Sequence, residues 1–236
     1  MRISVTLSAN AGVAIDFGGK RIWVDALHEE KQHGFSAVTV SLQGKMLMAE
    51  AFQDPHYICY THCHGDHYSR ELTRQAVERW PKAKVILPRQ DFADQVLLCE
   101  QKHMLKFDDI TMEFFRLVHE GAEFANVPHY GMILTLPEGN VLLPGDCAVA
   151  SSALADAIGG RNIDVAVLDF PWITLRKGRQ FLSEHICAKH VLVCHLPFAE
   201  DDCNSYRECA RRAALQMKNV DVRLLLDPKQ SEEINN

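Results

Sequence analysis

His62-Cys63-His64-Gly65-Asp66-His67 places four metal-ligating side chains within six consecutive residues, in the order H-x-H-x-D-H. Neutral imidazole and carboxylate are the ligand types that suit zinc and its first-row neighbours. The preceding His56-Tyr57-Ile58-Cys59-Tyr60-Thr61 is β-branched, aromatic and apolar, the composition of a buried strand. The ligands then sit at the C-terminal end of that strand, where open α/β sheets place their sites. Residues two apart in an extended segment point the same way, so His62 and His64 can share one metal. Asp66 and His67 follow the flexible Gly65 and can turn towards a second.

The composition is that of an ordinary soluble protein: 236 residues, 47% hydrophobic and 24% charged, with mass enough for one large core. We expect a single domain over residues 1–236. The net charge is −6, and the densest basic group, Arg207, Arg211 and Arg212, reads as one solvated helix face. Nothing in this pattern advertises a nucleic-acid footprint of the usual kind, and a nucleic-acid partner is not expected. Met1 to Leu7 lacks the apolar stretch of a signal peptide, and no run of eighteen apolar residues suggests a membrane span. The eight cysteines are therefore read as reduced thiols of a cytoplasmic protein. Cys59, Cys147, Cys187 and Cys194 lie in apolar runs and are expected in the core.

Outward from the histidine cluster, strands dominate early and alternate with helices later. Arg2 to Leu7, Gly12 to Phe17 and Lys20 to Asp25 read as strands, with Gly18-Gly19 a hairpin signal. Leu27 to Phe52 is ambiguous. Ser69 caps a helix over Arg70 to Trp80 that Pro81 stops. Lys84 to Leu87 is a strand, Gln90 to Glu100 a helix and Ile110 to Val118 a strand. A hairpin joins Tyr130–Leu136 to Asn140–Leu143 around Pro137-Glu138-Gly139. Ile163 to Leu168 is a strand, Arg176 to Ala188 a helix, His190 to Cys194 a strand, Asn204 to Met217 a helix and Val222 to Leu225 a strand. The polar tail from Lys229 is expected to fray. The pattern predicts an α/β (α+β) chain of sheets covered by helices.

Three further points repeat one layout, an apolar strand ending in a ligand type. Met112 to Val118 ends in His119, Val141 to Gly145 ends in Asp146, and Val191 to Cys194 ends in His195. His129 competes with His119. We favour His119 because it ends its strand as the others do, which leaves His129 a rim or supporting residue.

Together these residues resemble the metallo-β-lactamase superfamily: H-x-H-x-D-H, a His after a strand, an Asp in a G-D step and a late His. The matches are His62, His64, Asp66 and His67, then His119, Asp146 after Pro144-Gly145, and His195. Ile15-Asp16-Phe17-Gly18-Gly19 and Val24-Asp25 look like the family's first hairpin. The resemblance implies a four-layer αββα sandwich with two divalent metal ions, zinc first and manganese or iron as substitutes. His62, His64 and His119 would hold one ion, and Asp66, His67 and His195 the other, with Asp146 bridging. True β-lactamases generally lack a bridging Asp in the G-D step, which argues against antibiotic hydrolysis. The hairpin, short loops and late His195 look most like the branch that includes ascorbate-phosphate lactonase.

Seven ligands shared by two ions leave open coordination for water and substrate, as catalytic sites require and structural zinc sites do not. Two ions a few ångströms apart can hold a bridging hydroxide and polarise a substrate oxygen. Asp66 is placed to orient that hydroxide and then carry a proton to the leaving group. The expected function is a metal-dependent hydrolase of a small ester, lactone or phosphodiester. The alternatives are a tRNA-processing endonuclease, which would need a basic RNA-gripping surface, and a non-catalytic metal-binding or sensing protein. A thiol nucleophile at Cys63 is rejected, because sequence neighbours such as Cys63 and His64 rarely face each other.

Overall fold

The computed structural model describes residues 2–32, 34–107, 109–137 and 139–235. In chain order the strands begin with β1 (Arg2–Leu7), β2 (Val13–Phe17) and β3 (Lys20–Val24), followed by helix α1 (Val40–Met46). Then come β4 (Tyr57–Cys59), α2 (Arg70–Arg79), β5 (Lys84–Leu87), β6 (Val96–Leu97), β7 (Lys102–Phe107), β8 (Ile110–Leu117), β9 (His129–Leu136) and β10 (Gly139–Leu143). The remainder is α3 (Ser152–Ile158), β11 (Val165–Asp169), α4 (Pro171–Thr174), α5 (Arg176–Phe181), β12 (His190–Cys194), α6 (Tyr206–Gln216), β13 (Asp221–Leu224) and β14 (Ser231–Asn235).

The chain forms two compact units, Met1–Leu98 with Cys194–Arg207 and Leu225–Asn236, and Cys99–Val193 with Glu208–Leu224. The first carries a seven-stranded sheet in the order β14-β1-β2-β3-β4-β5-β6. Its β14, β1, β2 and β3 are antiparallel neighbours, and β3, β4, β5 and β6 run parallel. The second carries the order β13-β12-β11-β10-β9-β8-β7. There β7 to β10 are antiparallel, while β10–β11 and β12–β13 are parallel. With so few helices beside two mixed sheets, the expected α+β class holds.

Local sequence explains the pieces that bear on function. Gly18 and Gly19 both take left-handed backbone, at φ 58° and 84°, as a two-residue hairpin turn with right-handed strands demands. The expected cap of α2 is present: the Ser69 hydroxyl accepts from the Leu72 amide at 3.2 Å, contributing about 1 kcal/mol. Trp23 on β3 is fully buried, with the Phe52 ring at 5.8 Å and the Trp80 ring edge-on at 5.2 Å.

Five expectations fail for physical reasons. Gln90 to Glu100 is not a helix. The Gln95 side chain instead accepts from the Asp91 and Phe92 amides and donates to the Arg89 carbonyl, freeing Val96 and Leu97 to pair in parallel with β5. The Arg176 to Ala188 helix changes character: α5 widens into a π-turn over Leu182–Ile186 and ends at Cys187 with φ 49°. Cys187 is consequently exposed, not in the core. The tail does not fray, because Ser231–Asn235 pairs with β1 and buries Ile234. Arg207 leaves the solvated face and donates to the Pro197 and Leu226 carbonyls. At the expected hairpin turn, Glu138 lies outside the described residues.

Candidate metal centre

Beyond Cys59 the chain stays extended, and its period of two aims His62 and His64 together. His62 Nε2 lies 3.1 Å from His64 Nδ1. The chain then turns, with the His67 and Tyr68 amides donating to the His64 carbonyl at 3.0 and 2.9 Å. A Cβ at Gly65 would stand 2.0 Å from Glu30 Oε2, so a larger residue in that turn has to displace the Glu30 side chain. The turn brings Asp66 and His67 to His195, which follows β12. His67 Nε2 is 3.3 Å from His195 Nε2, and Asp66 Oδ2 is 3.9 Å from the same atom. Ligand atoms of Asp66, His67 and His195 all lie within 4.8 Å of one another.

Behind these ligands stands Asp25, buried at the end of β3. One of its oxygens accepts from the Thr61 amide at 2.8 Å, the other from the Thr61 hydroxyl at 2.6 Å and from His67 Nδ1 at 3.0 Å. The Thr61 oxygen in turn takes the Nδ1–H of His62, 3.0 Å away. This chain of bonds fixes tautomers. With Nδ1–H engaged in both rings, His62 and His67 present Nε2 lone pairs forward. Asn10 holds Asp66 from the other side through its Nδ2, 3.2 Å from the Asp66 carbonyl oxygen and 3.4 Å from Oδ2. Its own carbonyl accepts the His195 amide at 2.9 Å. Asn10, Asp25 and His195 all take left-handed backbone, at φ 50°, 51° and 55°. Such strain persists only where surrounding structure over-determines it, and it clusters at functional sites.

In the second unit, backbone pairing sets His119 beside Asp146. A bridge joins His119 to Cys147, and the Glu120 amide donates to the Asp146 carbonyl at 2.8 Å. His119 Nδ1 donates to the Glu120 carbonyl oxygen at 2.6 Å, which turns its Nε2 towards Asp146 Oδ2, 3.8 Å away. The tautomer logic is the same as for His62 and His67. His129 begins β9 fully buried, not at a rim, with its ring edge-on to His119 at 5.5 Å.

Of the residues singled out from sequence, the first unit thus brings together His62, His64, Asp66, His67 and His195. The second brings together His119 and Asp146. Asp25 was noted as a strand end and as part of the first hairpin but not as a site residue, although it shares the layout of an apolar strand closing on a polar residue. Asn10 gave no signal, because its role depends on the fold. Burial shifts two nearby groups towards their neutral forms. Burial pushes the Cys63 thiol up to about 12, leaving it protonated at neutral pH. Burial also holds His28 down at about 4, leaving it neutral.

The donor set fits divalent metal. In the first unit, His62 and His67 have Nδ1–H engaged and turn Nε2 outward, with Asp66 and His195 beside His67. Two facing Nε2 lone pairs at 3.3 Å repel unless a proton or cation lies between them. No family model and no curated protein sequence matches the chain. Solved structures do. The metallo-β-lactamase fold protein YhfI from Bacillus subtilis superposes with a TM-score of 0.68 at 13% identity, over 98% of this chain and 99% of that one. The chain has the metallo-β-lactamase fold. Igni18, a metallo hydrolase from Ignicoccus hospitalis, matches with a TM-score of 0.67 at 15% identity and full coverage of both chains. A possible metal-dependent hydrolase from Veillonella parvula matches at 0.70 and 16% identity, over 98% of this chain and 99% of that one. On this metallo-β-lactamase fold, the residues chosen from sequence all fall at strand ends or in the turns that leave them.

Proposed function

We propose that the chain is a single-domain, cytoplasmic, dinuclear metal-dependent hydrolase acting on a small ester, lactone or phosphodiester. The observation that carries the metal-dependent reading is the convergence of His67 Nε2, His195 Nε2 and Asp66 Oδ2, with the two nitrogens 3.3 Å apart. As the sequence resemblance implies, His62, His64 and His119 would hold one ion, Asp66, His67 and His195 the other, and Asp146 would bridge. When bound, zinc, manganese or iron supplies Lewis acidity and lowers the pKa of a water.

The chain's own residues do the rest. Asp25 and Thr61 hold the rings of His67 and His62 in the ligating tautomer. Asn10 fixes the carboxylate of Asp66, which takes a proton from the attacking water and passes it to the leaving-group oxygen. The small-substrate assignment rests on charge: a chain of net −6 without a dense basic run offers little long-range attraction to RNA. Among the described residues, no helix is long and apolar enough to cross a membrane.

Elemental analysis under metal-replete conditions should give about two transition-metal ions per chain, the number that seven ligands suit. A panel of a nitrophenyl phosphodiester, a sugar lactone and a precursor tRNA should then show turnover of the small compounds. Protein without micromolar metal affinity sinks the reading, and site-specific cutting of the tRNA alone replaces it with a nuclease.

A further inference from the structure

We infer that Phe35 and Tyr206 form an aromatic shelf beside His195 that seats a flat ring of the substrate, so that the preferred substrates carry an aromatic group next to the scissile bond. This rests on the hydrolase reading above and names its substrate class.

Three rings stand in a row. Phe35 meets His195 at 4.4 Å between centroids, inclined at 71°, and Tyr206 stacks on Phe35 at 6.0 Å and 15°. Phe35 and Tyr206 are each half-buried. A ring that served only to brace His195 would gain most from full burial, whereas a shelf keeps part of its surface open to a ligand. The row ends on the ring of His195, whose Nε2 is one of the atoms that converge with Asp66 and His67.

The backbone beneath the rings takes left-handed conformations, free for glycine but costly at His195 and Ser205. Gly34 before Phe35 has φ 86°, His195 itself 55°, and Ser205 before Tyr206 58°. Left-handed backbone at a residue such as Ser205 is retained where the surroundings enforce it. The enforcing bonds are visible. Lys31 Nζ and the Ser36 hydroxyl both donate to Asp201, at 2.6 and 2.8 Å. The Phe198 amide donates to the Ser36 hydroxyl at 2.8 Å, and the Glu30 amide to the Gly65 carbonyl at 3.2 Å. On the other side, Asp202 Oδ1 accepts from the Tyr206 amide at 2.8 Å. The segment carrying Phe35 is thus pinned both to the turn of the histidine cluster and to the segment after His195. A preset surface of this kind costs little ordering entropy on binding.

The test compares phenylphosphonate with methylphosphonate, the same anion with and without a ring, by calorimetric titration of metal-loaded protein. Wild type should bind the phenyl compound about tenfold more tightly, the scale of a ring stack with its buried area. Phe35→Ala and Tyr206→Ala should each bring that preference below about threefold, while Tyr206→Phe keeps it. Phe35→Leu preserves apolar bulk and should still lose most of it. Circular dichroism and metal content confirm that each variant is folded and loaded. A wild type without ring preference, or two alanine variants that retain it in full, overturns the shelf. Turnover is read separately: small-substrate hydrolysis without ring preference sinks the shelf alone, whereas ring preference without any hydrolysis upholds the shelf and removes the hydrolase reading.

Discussion

His67 Nδ1 and Asp25 Oδ2 are 3.0 Å apart, both fully shielded from solvent, and the same carboxylate is bound twice by Thr61. This relationship decides which nitrogen of His67 faces forward. Replacing Asp25 by Asn keeps the shape and a residue type that tolerates left-handed backbone, but removes the charge and sets an amide donor among existing donors. Metal affinity should fall about 10- to 100-fold, the usual cost of losing a partner behind a ligating histidine. Competition against a coloured chelator measures it. Wild-type affinity in Asp25→Asn protein would show that the pair is merely structural.

Asp146 follows Pro144 and Gly145, the latter at φ 59°, and its carbonyl accepts from the Glu120 amide next to the bridge between His119 and Cys147. As the proposed bridge, it should matter more to the pair of ions than to the fold. Asp146→Ala should lower turnover by orders of magnitude and reduce bound metal from about two ions towards one, because each bridged ion loses an oxygen. Retention of two ions and full turnover would falsify the bridging role.

His119 and His129 separate by consequence. His119 has its Nδ1 engaged by the Glu120 carbonyl and its Nε2 towards Asp146, whereas His129 packs its ring against His119. His119→Ala should therefore abolish binding of one ion, and His129→Phe, which keeps a flat ring, should weaken it only modestly. Metal stoichiometry on both variants checks the assignment. Loss of an ion in His129→Phe, with none lost in His119→Ala, reverses it.

How much was legible in advance follows from the range of the forces involved. The His62 to His67 turn and the Asp146 and His195 strand ends announce themselves because a strand's period and a ligand's chemistry are both local. Asp25 and Asn10 did not, since each acts on residues far along the chain, Asn10 on Asp66 some fifty-six positions away. The helix expected at Gln90 to Glu100 failed for the same reason. Its local helix-forming residues lost to a parallel pairing with β5 that only the folded sheet offers. The tail was misread because Ser231–Asn235 is mostly polar and gains its order from the free edge of β1.

His28 yields a prediction about acid. Its ring is fully buried, Nε2 is 3.1 Å from the Ala9 carbonyl oxygen, and burial above all holds its pKa near 4 against an ordinary 6.5. Folded protein therefore keeps His28 neutral where the unfolded chain protonates it. Between about pH 6.5 and about pH 4 the unfolded state binds more protons, so stability rises with pH across that window. The contribution is complete above the unfolded value and is lost as pH falls towards the folded one. Its full size is of the order of 3 kcal/mol. His28→Gln, which can still donate to a carbonyl but does not titrate, should flatten the acid limb in metal-free protein. Urea midpoints measured across that window for both proteins decide it. Parallel curves would mean that other groups carry the acid sensitivity.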